Sequence, residues 1–266
     1  SAGNDFIDEY TPDGVNLGRF IGPEQGIRGL RDLAYDPATG HLLYTVNVYF
    51  NPERHIYEIR EVDASGQLIR TYDHEDFGSG NIELVFGPDN TLYAANHGHV
   101  YRRFPWETTL TKFCTLPINP LTRFPVGVGD LEIDPQGNLL LSDPFVNYNV
   151  YRIYPDGRVE IFADRNDGLN EPYGIAMDGS GNLFASNVHG SNHALVKIDP
   201  LGQGQEFVPH GILRWGAHDL AFDASNYLLA ACRNHHRIFR FAPSGTYELF
   251  AGPGDGMSDP AAIVQI

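Results

Sequence analysis

Apolar and polar positions alternate in a unit that returns along the chain. Its cleanest copy is Tyr173–Asn187, YGIAMDGSGNLFASN. An apolar run leads into the polar turn Asp178, Gly179, Ser180 and Gly181, and a second apolar run follows. This is the pattern of two short buried strands joined by a tight turn. The first half of the unit recurs as RDLAYD (31–36), IELVFG (82–87), GDLEID (129–134), YGIAMD (173–178), HDLAFD (218–223) and AAIVQI (261–266). The third residues of these runs, Leu33, Leu84, Leu131, Ile175, Leu220 and Ile263, are 51, 47, 44, 45 and 43 residues apart. That period suits one four-stranded propeller blade.

The rest of each unit fits the same reading. Second strands are expected at LLYTVN (42–47), LYAAN (92–96), LLLSD (139–143), LFASN (183–187) and LLAAC (228–232). Outer hairpins follow, as in VYRIYPDGRVEIFAD (150–164) and IFRFAPSGTYELFAG (238–252), where Pro and Gly mark the turn. FIDEYTPDGVNLGRFIG (6–22) reads as an outer hairpin with no inner strands before it, and 261–266 as an inner strand with nothing after it. The expectation is therefore an all-β, six-bladed β-propeller forming one domain over residues 1–266. Its units would be 31–74, 82–118, 126–166, 173–211 and 218–254, with a closing blade from 261–266 and 5–22. That closing blade is one strand short, and another chain could add the strand to it.

Bulk properties narrow the function. The formal net charge is −16, from 18 basic and 34 acidic residues. A nucleic-acid binder needs a basic face, so nucleic acid is not an expected partner. No apolar run approaches the roughly 18–20 residues of a membrane helix. The chain begins at Ser1 rather than Met, which suggests processing, and the expectation is a secreted or extracytoplasmic protein. Cys114 and Cys232 have unlike neighbours, and two buried free thiols are expected.

The forms xGIAxDxxGNLFxSN and VYRIxPDG resemble the NHL-repeat propellers and the wider group of gluconolactonase-like (regucalcin-type) proteins and streptogramin lyases. The resemblance covers essentially the whole chain. It implies the fold, and it leaves open metal-dependent lactonase, lyase, amidating-lyase and non-enzymatic binding roles. Gluconolactonase-like enzymes carry Glu, Asn and Asp metal ligands just ahead of the first strands. The matching positions here are Arg31, Ile82, Gly129, Tyr173, His218 and Ala261, of which only His218 ligates well. LFASN and LYAAN also stand where streptogramin lyases carry aromatic-rich second strands.

Chemistry should gather on the propeller face where chains lead into first strands and out of second strands. There Asp32, Glu83, Asp130 and Asp219 form an acidic set. They can hold Ca²⁺ or another divalent metal, or they can accept backbone N–H bonds between neighbouring blades. His218 beside Asp219 is the catalytic candidate, a base held by a carboxylate. Asn96, His97, Phe145, Tyr148, Tyr173, Asn187 and His189 are the candidate ligand-binding residues, with Phe145 and Tyr148 able to stack on a sugar. The leading expectation is a non-enzymatic binding or assembly propeller. Its partner would be a protein, a glycan or a second copy of itself through the incomplete blade. The alternative is a metal-dependent hydrolase or lyase with its site at the tunnel mouth.

Overall fold

The computed structural model describes residues 6–22, 27, 29–51, 54–72, 82–188, 195–209, 211–213 and 216–264. A hairpin comes first, β1 (Ile7–Tyr10) and β2 (Asn16–Ile21). Five four-stranded antiparallel sheets follow. The first holds β3 (Leu33–Asp36), β4 (His41–Asn51), β5 (Arg54–Val62) and β6 (Leu68–Tyr72). The second holds β7 (Glu83–Phe86), β8 (Leu92–Asn96), β9 (His99–Arg103) and β10 (Thr111–Thr115). The third holds β11 (Asp130–Ile133), β12 (Leu139–Ser142), β13 (Val150–Ile153) and β14 (Val159–Ala163). The fourth holds β15 (Pro172–Met177), β16 (Leu183–Asn187), β17 (Leu195–Ile198) and β18 (Gly204–Val208). The fifth holds β19 (Asp219–Phe222), β20 (Leu228–Cys232), β21 (Arg237–Phe241) and β22 (Tyr247–Ala251).

Each sheet is a meander in sequence order, and the inner strands β3, β7, β11, β15 and β19 pack side by side in turn. The turns explain the repeat. Asp178 accepts hydrogen bonds from the Ser180 and Asn182 N–H groups (both 2.9 Å), and Asp223 accepts from Ser225 and Tyr227 (both 2.9 Å). The left-handed residue that closes these turns is Gly181 in the fourth blade (φ +81°) and Asn226 in the fifth (φ +61°). Both residue types tolerate that conformation at low cost. Second strands β12, β16 and β20 are buried along their whole length, and Leu and Ala from them fill the space between blades.

The expected count of six blades is corrected to five. Residues 261–264 are laddered to no strand, and β1–β2 remains a two-stranded sheet. The apolar spacing that marked 261–266 as an inner strand is real, but a run becomes a strand only through a hydrogen-bonded neighbour, and none flanks it among the described residues. Residues 265–266 and 1–5, which the expected closing blade also used, lie outside the described residues. The hairpin and the C-terminal segment still occupy the side of the ring between β3–β6 and β19–β22. Val264 packs with Ile7, Ile21, Leu42 and Val62. Ile263 and Tyr10 pack with Leu229, Ile238 and Met257. The Asn16 side-chain amide donates to the Asp255 carbonyl (2.9 Å).

Cys114 is half-buried and Cys232 buried, and both are free thiols. Burial pushes them up to about 11 and about 12, so neither is a thiolate at neutral pH. Among the described residues no helix is long and apolar enough to cross a membrane.

In the inner ring Gly174 lies against the backbone of the next blade. A Cβ there would meet the Asp219 backbone at 2.8 Å from Cα and 2.9 Å from both C and N. Backbone cannot swing aside as a side chain can. Gly174→Ala is therefore expected to destabilise by about 2 kcal/mol through overpacking. Urea unfolding followed by tryptophan fluorescence checks this, and an unchanged midpoint would remove the steric argument.

Candidate functional site: the tunnel mouth

The inner strands converge on a small recess open to solvent. Arg31, Asp32, Glu83, Gly129, Asp130, Tyr173, His218, Asp219, Arg233 and Ala261 line it. All four members of the sequence-predicted acidic set are present, and so are His218 and Tyr173.

The carboxylates do unequal work. Asp32 accepts from the Leu33 N–H of its own blade (2.7 Å) and from the Leu84 N–H of the next (2.5 Å). Asp130 accepts from Leu131 (2.7 Å) and, across the blade boundary, from Ile175 (2.7 Å). Asp219 accepts from Leu220 (2.7 Å) and from Ile263 of the C-terminal segment (2.5 Å). The clasps thus alternate around the ring. Blades one, three and five each supply an Asp that holds two inner segments. The positions between them are Glu83, Gly174 and Ala262. Glu83 is the only acid of the four without clasp duty. It is 6% exposed, and no donor among the described residues reaches its carboxylate.

Burial dominates the electrostatics. It pushes Asp32 up to about 7 against the bonds from Leu84 and Leu33. Glu83 is raised well above the usual carboxylate range by burial, then by the charges of Asp32 and Asp219, with Arg31 opposing. Asp130 is raised by burial and then by Asp219, Glu83 and Asp32. Asp219 is raised by burial and then by Asp32. His218 is driven the other way, to about 4, by burial and then by the positive charges of Arg233 and Arg31. It is a neutral imidazole at neutral pH, and its Nδ1 is buried without a hydrogen-bond partner. Asp219 gives its oxygens to Leu220 and Ile263 rather than to His218, so the two adjacent residues do not form a base–carboxylate pair.

The predicted ligand-binding residues divide. His97, Phe145, Tyr173 and His218 form a continuous arc of rings. Successive ring centres are 5.9, 5.7 and 5.1 Å apart. Phe145 is placed by Asp143, whose carboxylate accepts from the Phe145, Val146 and Asn147 N–H groups. Tyr148 stays outside the arc, with the Arg165 guanidinium over its ring at 4.5 Å. Asn187 is engaged structurally, accepting from the Asn170 N–H (2.8 Å) and donating to the Gly168 carbonyl (2.9 Å). Asn96 is buried at the end of β8. His189 lies outside the described residues.

Two features of the mouth were not assigned a role from sequence. Arg31 and Arg233 face the recess from the approach to β3 and the end of β20. The other is an apolar ledge on the loop before β11. There Leu121 is 91% exposed, Phe124 67% and Ile118 59%. The Asn119 side chain donates to the Asn147 side chain (2.6 Å), and Ile118 bridges Pro125, so the ledge is fixed beside Phe145.

The ring of meandering blades is a fold shared with solved streptogramin lyase and gluconolactonase structures. Particular structures with it include virginiamycin B lyase from Staphylococcus aureus, determined as an inactive variant with quinupristin. It has a TM-score of 0.66 and 15% identity over 94% of this chain and 75% of that one. The calcium-binding protein regucalcin from Agrobacterium tumefaciens gives 0.61 and 17% over 84% and 73%. A chain of a nidogen/laminin complex gives 0.65 and 16% over 85% and 82%. No protein-family model and no curated protein matches the chain.

The calcium-binding relative raises the question of a metal at this mouth. Among the described residues no three His, Cys, Asp or Glu side chains are arranged to hold a metal ion. Three of the four mouth acids have both oxygens engaged by backbone N–H groups. The donor set present does not fit a resident metal.

Proposed function

We propose that the protein is a non-enzymatic binding propeller that docks a protein partner on its mouth face. The carrying observation is the fixed ledge of Ile118, Leu121, Phe124 and Phe145, four large apolar side chains held out into solvent beside the tunnel. A contiguous exposed apolar patch rimmed by polar residues is a feature of interaction sites. Rigid presentation also lowers the ordering cost of binding. The clasp role of Asp32, Asp130 and Asp219 supports the reading, because it gives the acidic ring a structural purpose. One propeller of this fold was solved in a nidogen/laminin complex, so in that case the architecture takes part in a protein assembly.

The test is cross-linking with mass spectrometry in the protein's native extract, comparing wild type with Leu121→Asp/Phe124→Asp. Loss in the double variant of partners that cross-link through 117–126 supports the docking face. Unchanged cross-links overturn it. Sedimentation of the purified protein shows whether the partner is a second copy.

A second reading, hydrolase or lyase, rests on Glu83, a buried carboxylate that no donor among the described residues reaches, which lines the same recess as neutral His218. Metal analysis of purified protein and thermal melts with and without chelator test its metal-dependent form. No stoichiometric ion and no change in melting would remove it.

A further inference from the structure

The turn joining β9 to β10 differs from the outer turns of the other four blades. The Glu107 N–H donates to the Phe104 carbonyl (2.9 Å), closing the turn that Gly66, Gly157, Gly202 and Gly245 close elsewhere. Those glycines are left-handed, and Gly202 and Gly245 lie against Phe162 and Phe207 of the preceding blade. Glu107 carries a side chain and has no positive φ. Its carboxylate accepts from the Phe104 N–H (3.1 Å). Arg103 meets the preceding blade instead, its guanidinium 5.5 Å from the Tyr72 ring centre. The turn is left to present Trp106, the residue ahead of Glu107. Trp106 is 78% exposed, and its ring is held in place. It stacks flat on Phe104, with ring centres 5.0 Å apart and planes 4° apart. The Arg102 guanidinium lies over Phe104 (4.8 Å) and Phe113 (4.7 Å), and Phe113 meets Tyr93 edge to face at 5.8 Å. The indole is thus the outer end of a stack rooted in β8 and β10. Around it Pro105, Thr108, Thr109, Thr111 and Lys112 are exposed.

We propose that Trp106 is a platform for a neutral β-linked oligosaccharide, with one pyranose ring lying flat on the indole. A pyranose with equatorial hydroxyl groups turns a face of C–H bonds away from its ring plane. Those hydrogens carry slight positive charge and match the negative face of an aromatic ring. The hydroxyl rim stays in water, so little polar surface is desolvated. Several observations select this ligand. The apolar face is one indole in a polar surround, far short of the roughly 800 Å² per partner of a stable protein interface. Its chain neighbours are exposed, and an open face suits a flat extended chain better than a small molecule that needs enclosure. A guanidinium already rests on the stack, which disfavours a cationic ligand there. The net charge of −16 counts against nucleic-acid bases. Leu201, at the matching place in the fourth blade, is 83% exposed but offers no flat face. β9 starts at His99, two residues after His97 of the mouth arc, and ends at Arg103. The platform therefore sits at the other end of the blade from the ledge. This inference goes beyond the docking reading and does not depend on it.

The probes are cellohexaose, a flat β-linked glucose chain, and maltohexaose, its curved α-linked isomer. Each is titrated into ¹⁵N-labelled protein, and the indole N–H signals are followed by NMR. The chain has two tryptophans, and the signal missing from Trp106→Ala is that of Trp106. Expected are a saturable shift of that signal with cellohexaose and a weaker response to maltohexaose. Affinity electrophoresis through hydroxyethyl cellulose reads the variants, with near-ultraviolet circular dichroism confirming that they are folded. Trp106→Ala should lose about tenfold or more in affinity. Trp106→Tyr should keep part of the affinity, and Leu201→Ala should match wild type. The proposal is overturned by no saturable shift, by an equal response to the two sugars, or by retardation unchanged in Trp106→Ala. Protein cross-links through 104–109 that Trp106→Ala abolishes, with no sugar response, would assign the platform to a protein partner and overturn it too.

Discussion

Asp130→Ala is expected to lower the unfolding free energy by about 3 kcal/mol. The change removes both acceptor oxygens at once and leaves the buried Leu131 and Ile175 N–H groups with no partner. Each orphaned buried donor costs about 1–3 kcal/mol, and relief from burying the carboxyl offsets part of the sum. Asp130→Asn should not rescue it, because its side-chain amide would point one N–H at another N–H. Equivalent loss is expected for Asp32→Ala. Asp219→Ala should differ in kind. Its outer partner is Ile263 in the strandless terminal segment, so hydrogen exchange at 257–264 should accelerate before global stability falls. Urea unfolding with exchange mass spectrometry reads both. A loss below about 0.5 kcal/mol for Asp130→Ala would mean the clasps are not what joins the blades.

The blades were legible because each repeats a complete chemical instruction. An Asp-led turn with Gly or Asn in the left-handed position sits between two apolar runs, and it folds locally wherever it occurs. The count of six was not legible for the opposite reason. AAIVQI carries the apolar spacing of an inner strand but lacks the turn and second strand that would pair with it. Periodicity reports which residues face a core, and ladder formation depends on a neighbour elsewhere. The acidic set was legible as a set, since Asp32, Glu83, Asp130 and Asp219 share one position of the repeat. The division of labour within it was hidden. Whether a carboxylate reaches the next blade depends on one methylene and on the backbone separation, neither of which spacing reveals. The arc of His97, Phe145, Tyr173 and His218 draws on four different blades, and its members were picked out singly. Arg31 and Arg233 stood at the right positions in the repeat. Nothing in the sequence told that they pair with no acid among the described residues.

Stability should fall as pH rises from about 5 to 8, against the behaviour expected of surface carboxylates. The sign follows from the mouth acids. Asp32 is raised to about 7, and Glu83, Asp130 and Asp219 are raised well above their ordinary range. Between the unfolded carboxylate value of about 4 and the raised folded values, the folded protein binds more protons than the unfolded chain. The stability from that difference is fully present below the unfolded pKa and is lost as pH climbs through the folded pKa. A few kcal/mol spread over this window corresponds to a drop in Tm of about 5–10 °C. Glu61 works in the opposite sense at lower pH. Burial would raise it, but hydrogen bonds from Tyr72 and His41 hold it below its ordinary value, so acid below about pH 4.5 destabilises instead. A stability maximum near pH 5 results. Glu83→Gln isolates the mouth term. Glu83 carries no clasp, so the amide removes a buried charge while leaving the Asp32, Asp130 and Asp219 bonds intact. The variant should melt a few degrees above wild type at pH 8 and equal it at pH 5, because the wild-type carboxyl is already neutral there. Calorimetric melts at the two pH values decide it. An equal gain at both would assign the effect to packing, and no gain at pH 8 would mean that Glu83 is ionised at little cost in the folded ring.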